Sequence, residues 1–185
     1  MSVLSRVLRT AAMAALVSFS FAVVASDAAY ADENETVGKA ATPFDLRDIN
    51  GQKVQLESLR GKVILLSFWA TWCAPCKEEM PHLNKLYLEH KDDGFVVLSI
   101  SSDDARTGSR VKPYIKSKGF SFPVLLDPSS KVTTAYNPMK TLPWTVVIDR
   151  DFKIAKVHSG FNPGDEKEIE ELVEKLVHAG ASHSE

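Results

Sequence analysis

Two residues stand out for the chemistry they could do. Cys73 and Cys76 are the only cysteines in the chain, set in Trp72-Cys73-Ala74-Pro75-Cys76-Lys77. Spacing i, i+3 brings two thiols to one face of a helical turn, close enough to bond. If a helix starts here, Cys73 faces the unsatisfied N–H groups of its first turn and their partial positive charge. A thiolate is favoured there by about 0.3–2 kcal/mol. Pro75 suits an early helical position, where φ is preset and its missing N–H would have been an orphan.

Other uses of a C-x-x-C pair fit less well. Haem attachment needs a histidine next, and position 77 is Lys. A four-thiolate zinc site needs more cysteines, and His82, His90, His158, His178 and His183 show no paired ligand spacing. A purely structural disulfide would close a tiny loop and stabilise little on the loop-entropy picture. Thiol–disulfide exchange, with no metal and no cofactor, is the expected chemistry. A peroxidase is disfavoured because no further cysteine exists to act as a separate peroxidatic residue. Gly61-Lys62 is not a phosphate loop, since Leu56 stands where the first glycine belongs. Asn34-Glu35-Thr36 matches a glycosylation triplet but lies in a polar stretch and carries little weight.

Composition narrows the class. The 185 residues are 44% hydrophobic and 25% charged, too apolar for a disordered chain. Lys+Arg of 22 against Asp+Glu of 24, net −2, lacks the basic footprint of a nucleic-acid binder. Arg6 and Arg9 precede an apolar run over 11–25, broken only by Ser18 and Ser20, and Ala29-Tyr30-Ala31 follows. A basic start, a short apolar core and a small-x-small site make a secretory leader. Val23-Val24-Ala25 offers a second cleavage site. The alternative is an uncleaved anchor, but a spanning helix needs about 20 apolar residues. The organisation expected is a leader or anchor over 1–31, a polar linker over 32–40, one domain over 41–179 and a tail over 180–185.

The elements that must position the cysteines follow from periodicity. Segments 44–46 and 54–56 flank Asn50-Gly51, a hairpin turn pair whose residues both tolerate positive φ. Val63-Ile64-Leu65-Leu66-Ser67-Phe68-Trp69 reads as a central strand buried on both faces. A helix is predicted over 74–90, with Met80, Leu83, Leu86 and Tyr87 on one face, stopped by Gly94. A buried strand over 95–100, a helix over 111–117, a short strand over 124–126 and a helix over 132–136 come next. Segments 145–148 and 154–157 look like an antiparallel pair. Asp165 with Glu168 resembles a capping box opening a last amphipathic helix. Alternating strands and helices closing on a hairpin indicate an α/β sandwich around a mixed sheet.

The stretch Ser67-Phe68-Trp69-Ala70-Thr71-Trp72-Cys73-Ala74-Pro75-Cys76-Lys77-Glu78-Glu79-Met80-Pro81 resembles the thioredoxin superfamily, and within it the TlpA/ResA branch of extracytoplasmic thiol-disulfide oxidoreductases. Supporting segments are Phe44-Asp45-Leu46-Arg47-Asp48 with Gly51, Leu59-Arg60-Gly61-Lys62, Phe122-Pro123-Val124-Leu125-Leu126-Asp127, and Leu142-Pro143 before Val146-Val147-Ile148-Asp149. The resemblance spans residues 41–176. It implies a thioredoxin-like fold: a central mixed β-sheet with helices on both faces and an N-terminal hairpin extension.

The resemblance also implies roles. Cys73 matches the exposed nucleophile and Cys76 the residue that resolves the mixed disulfide, the two forming a redox-active pair. Pro143 matches a cis-proline facing the cysteines, with Pro123 the lesser candidate, and Pro81 matches a helix-kinking proline. Substrate would lie against Trp72, Pro75, Leu142, Pro143 and Trp144. The buried aspartate of thioredoxin is replaced here by Ser67. Glu79 then matches the proton shuttle for Cys76; the alternative is a solvated helix charge, as Glu78 is read. Trp144 stands where the branch has a small hydroxyl residue, and either touches substrate or packs in the core. The implied activity is reduction of protein disulfides in the periplasm or another extracytoplasmic space, by a monomer that is free or anchored at its N-terminus. A membrane thiol-disulfide donor would recharge it, and apocytochrome c is one implied substrate. A disulfide donor and a non-enzymatic binding module are the alternatives.

Overall fold

The computed structural model describes residues 36–179. Seven strands form one sheet in the order β2-β1-β5-β4-β3-β6-β7. They are β1 (Asp45–Asp48), β2 (Lys53–Gln55), β3 (Val63–Trp69), β4 (Phe95–Ser101), β5 (Val124–Leu126), β6 (Trp144–Ile148) and β7 (Ile154–Ser159). β3, β4 and β5 run parallel, while β6–β7 on one side and β1–β2 on the other are antiparallel. All seven residues of β3 are buried, as a strand covered on both faces requires.

Side chains alternate across that strand, so each parity meets its own core. Val63, Leu65 and Trp69 pack beneath α1 (Ala74–His90), α2 (Val111–Lys118) and α4 (Asp165–Ala179) through Met80, Leu83, Leu86, Val111, Ile169 and Val173. Ile64, Leu66 and Phe68 face the short α3 (Lys131–Tyr136), with Leu56 and Phe152 completing the second core. The thioredoxin-like fold with its N-terminal hairpin is therefore present, three helices on one face and one on the other.

β3, β5 and α1 occupy the predicted residues; three local readings are corrected. At the first hairpin only Gly51 is left-handed (φ +86°). The Asp48 carboxylate closes the loop instead, accepting the N–H groups of Asn50 and Gln52 at 2.8 Å each. Asp165 and Glu168 do not form a capping box. Asp165 accepts the Asn162 N–H at 2.7 Å, and Glu168 reaches Lys156 Nζ on β7 at 2.5 Å. Finally, part of the expected linker belongs to the fold. Gly38 N–H donates to Ile154 O (2.8 Å), Ile154 N–H to Lys39 O (2.9 Å) and Ala41 N–H to Phe152 O (2.9 Å). These residues cover the open edge of β7, which would otherwise present unpaired backbone groups. The segments expected as leader (1–31) and tail (180–185) lie outside the described residues. No helix among those described is long and apolar enough to cross a membrane.

Candidate active site

β3 delivers the chain to the cysteines. After Trp69 a short loop turns, with Cys73 N–H bonded to Ala70 O at 3.0 Å, and Cys73 becomes the N-cap of α1. Its Sγ accepts the Cys76 N–H at 3.3 Å, meeting one of the orphan donors of the first turn. Pro75 lies in that turn. Cys73 and Cys76 are joined in a disulfide with Cα atoms 5.4 Å apart. Cys76 is fully buried and Cys73 6% exposed, so attack from outside meets Cys73 first. Trp72 stands out beside it, 64% exposed.

β6 runs antiparallel to β3 with Trp144 opposite Phe68, so the segment entering β6 reaches the end of the sheet that carries the disulfide. Among the described residues the one cis peptide is Leu142–Pro143; Pro123 is trans. Pro143 is buried and Leu142 and Pro75 half-buried. Within the described residues neither the N–H nor the C=O of Leu142 has a backbone partner. Trp144 takes the core alternative. It is 3% exposed and belongs to the cluster on the other face of the sheet, because the pleat turns its side chain away from the cysteines. Its side chain offers almost no surface to solvent.

Glu79 follows Cys76 by three residues and shares its buried face of α1. It is 5% exposed, unlike the exposed Glu78. Ser67 Oγ donates to Glu79 Oε2 at 3.3 Å and Thr145 Oγ1 to Oε1 at 2.8 Å. The β3–β6 register places Ser67 opposite Thr145, so two hydroxyls from adjacent strands serve a carboxyl descending from the helix. Burial pushes the Glu79 carboxyl up to about 7, against the two hydroxyl bonds, which pull it down. A group so placed holds or releases a proton near neutrality.

One residue was missed. Asp103, 3% exposed, accepts the Thr71 N–H (2.8 Å), the Thr71 hydroxyl (2.6 Å) and the Ser101 hydroxyl (2.9 Å). It clamps the loop just ahead of Cys73. The available signal was Ser101-Ser102-Asp103-Asp104 at the carboxyl end of a buried strand, where α/β sheets build their sites. Asn137 plays a similar part opposite, donating to Thr141 O at 2.6 Å next to Leu142. Among the described residues no cluster of three His, Cys, Asp or Glu side chains is placed to hold a metal.

Comparison with known proteins gives concordant results. Residues 37–157 match the AhpC/TSA family. The thiol-disulfide oxidoreductase ResA of Bacillus anthracis is 36% identical over 124 residues, 67% of this chain and 70% of the relative. A Chlorobium tepidum protein provisionally named thiol:disulfide interchange protein DsbE is 32% identical with a TM-score of 0.70, covering 76% of this chain and 97% of the other. A thiol:disulfide interchange protein from Bacteroides sp. is 27% identical with a TM-score of 0.66, covering 80% and 95%.

Proposed function

Because the chain belongs to the AhpC/TSA family, as a thioredoxin-like thiol-disulfide oxidoreductase of ResA type, we propose that it reduces protein disulfides outside the cytoplasm. The observation that carries this is the Cys73–Cys76 disulfide at the start of α1 with the buried Glu79 carboxyl one turn below. In the dithiol form Cys73 thiolate attacks a substrate disulfide, forming a mixed disulfide and releasing the other substrate sulfur as a thiolate that takes a proton from water. Cys76 passes its proton to Glu79 and displaces the reduced substrate sulfur, which takes a proton from water. The two electrons leave with the substrate and the Cys73–Cys76 bond closes.

Substrate lies along Trp72, Pro75 and the Leu142–Pro143 edge, where the free N–H and C=O of Leu142 pair with an extended segment as an added strand does. The domain works as a monomer over 41–179, delivered by the leader over 1–31 and freed or held there by it. A membrane thiol-disulfide donor restores the dithiol, since the periplasm is kept oxidising. Disulfide-bearing proteins are its partners, apocytochrome c among them.

The reduction potential of the Cys73–Cys76 pair in the purified domain tests the direction. Thioredoxin lies at about −270 mV and a strong oxidant at about −120 mV. A value near the first supports the reductase; a value near the second makes the protein a disulfide donor and overturns the proposal.

A further inference from the structure

A shuttle as deeply buried as Glu79 must exchange its proton with water once per turnover. Behind Glu79, between α1, α4 and β7, lies a cavity of about 10 Å³, room for about one water. Leu83, Leu86 and Ile169 wall it. The strand register continues toward it. Ser67 lies opposite Thr145, and Thr145 opposite His158 on β7, so these three and Glu79 share one side of the sheet. His158 lines the cavity. Its Nε2 is buried with no hydrogen-bond partner among the described residues. Asp165 Oδ2, at 3.4 Å, is within ion-pair reach of that nitrogen but outside hydrogen-bond geometry.

We propose that this cavity is the proton exit of Glu79, a single water linking its carboxyl to His158 Nε2. The inference rests on the reading of Glu79 as the shuttle. When Cys76 has given its proton to Glu79, the carboxyl passes it to the water, and the water passes one to Nε2. The imidazole then releases a proton to solvent from Nδ1, so proton count and charge balance and no electrons move. Re-reduction runs the path backwards. The water has two polar partners, the carboxyl and the orphaned nitrogen, which meets the minimum for a held water. Asp165 positions the ring. The other titratable groups at the rim are His82 from α1 and Glu166 and Glu170 from α4. His82 is a weaker relay, because its ring lies tilted against Phe161 at 5.7 Å and it is not in the strand row of Thr145.

The test is single-turnover reduction of insulin by the prereduced protein in weak buffer across pH 6–9, with and without added imidazole. His158→Ala should slow the resolving step about tenfold, short of the about 10²–10⁴ a lost acid–base group costs. Added imidazole should restore it, and the reduction potential should stay unchanged. Glu79→Gln should be slow whether or not imidazole is present, and His82→Gln should match the parent. A slow His158→Ala that imidazole does not rescue has a structural defect only and overturns the route. So does a parent-like His158→Ala beside a slow Glu79→Gln, which leaves the shuttle standing. A rescuable defect in His82→Gln instead moves the exit and overturns this assignment. A fast Glu79→Gln removes the shuttle itself. His158→Gln, which keeps side-chain volume, serves if the alanine variant does not fold.

Discussion

Glu79 shows how little of a residue's state is local. Its neighbours in sequence, Glu78 and Met80, say nothing of the Ser67 hydroxyl 12 residues before it or the Thr145 hydroxyl 66 residues after. The cysteine pair is the opposite case, since i, i+3 spacing and a helix start are properties of one short segment. The buried carboxyl has a consequence for stability. Its affinity for a proton is higher in the folded chain, about 7 against an ordinary 4.5. The stabilisation from binding that proton is complete below about pH 4.5 and is lost as the pH rises through about 7. At 1.36 kcal/mol per pKa unit the loss is about 3 kcal/mol. Glu79→Gln removes the titration and keeps the shape. Urea unfolding of the oxidised protein at pH 5 and at pH 8.5 should therefore show the variant gaining roughly 2–3 kcal/mol on the parent between the two. A parallel pH dependence in both proteins would mean that Glu79 is ionised at little cost.

At the scale of elements, legibility followed the length of the pattern. β3 was readable because six apolar residues in a run of seven, broken only by Ser67, leave few alternatives to a central strand, and α1 because its apolar positions repeat over 17 residues. What failed were short polar stretches in which side chains compete for backbone donors, as Asp48 does in the first hairpin and Asp165 at the start of α4. The Asp103 clamp was illegible for another reason: its partner Thr71 is 32 residues away, and only the parallel pairing of β3 with β4 brings their ends together. That clamp fixes the loop between strand and helix, and so the place of Cys73. A hydrogen bond to a charged group contributes about 1.5–3 kcal/mol, and removing Asp103 leaves the buried Thr71 donors unmet. Asp103→Ala should cost about 3 kcal/mol in unfolding free energy and also slow insulin reduction. Asp103→Asn, which keeps an acceptor for Thr71, should recover part of both. A variant that loses stability but reduces insulin at the parent rate would show that the clamp holds the fold without holding the cysteine.

The whole molecule separates its chemistry from its anchorage along the sheet. The disulfide, Glu79 and the Asp103 clamp gather at or near the carboxyl ends of β3 and β4. At the opposite ends Arg150 ties three segments together. Nη1 donates to Gly61 O at 2.9 Å, just before β3, and Nη2 to Asp93 O at 3.0 Å, just before β4, and to Val177 O at 3.1 Å in the last turn of α4. One guanidinium thus joins the amino ends of the two central strands to the helix that covers them, with a planar fork no lysine reproduces. Its three charge-assisted bonds are partly exposed, and losing them together should cost about 2–4 kcal/mol. Arg150→Ala is accordingly expected to lower the urea midpoint with an unchanged slope, since the same surface is exposed on unfolding. The Cys73–Cys76 reduction potential should stay within about 10 mV of the parent, under about 0.5 kcal/mol at 30 mV per 1.4 kcal/mol. A larger shift would mean that the length of β3 transmits strain from one pole to the other. The bonds that place Cys73, from its own N–H to Ala70 O and from Thr71 to Asp103, lie at its own end of the sheet, so loss of Arg150 should leave them intact.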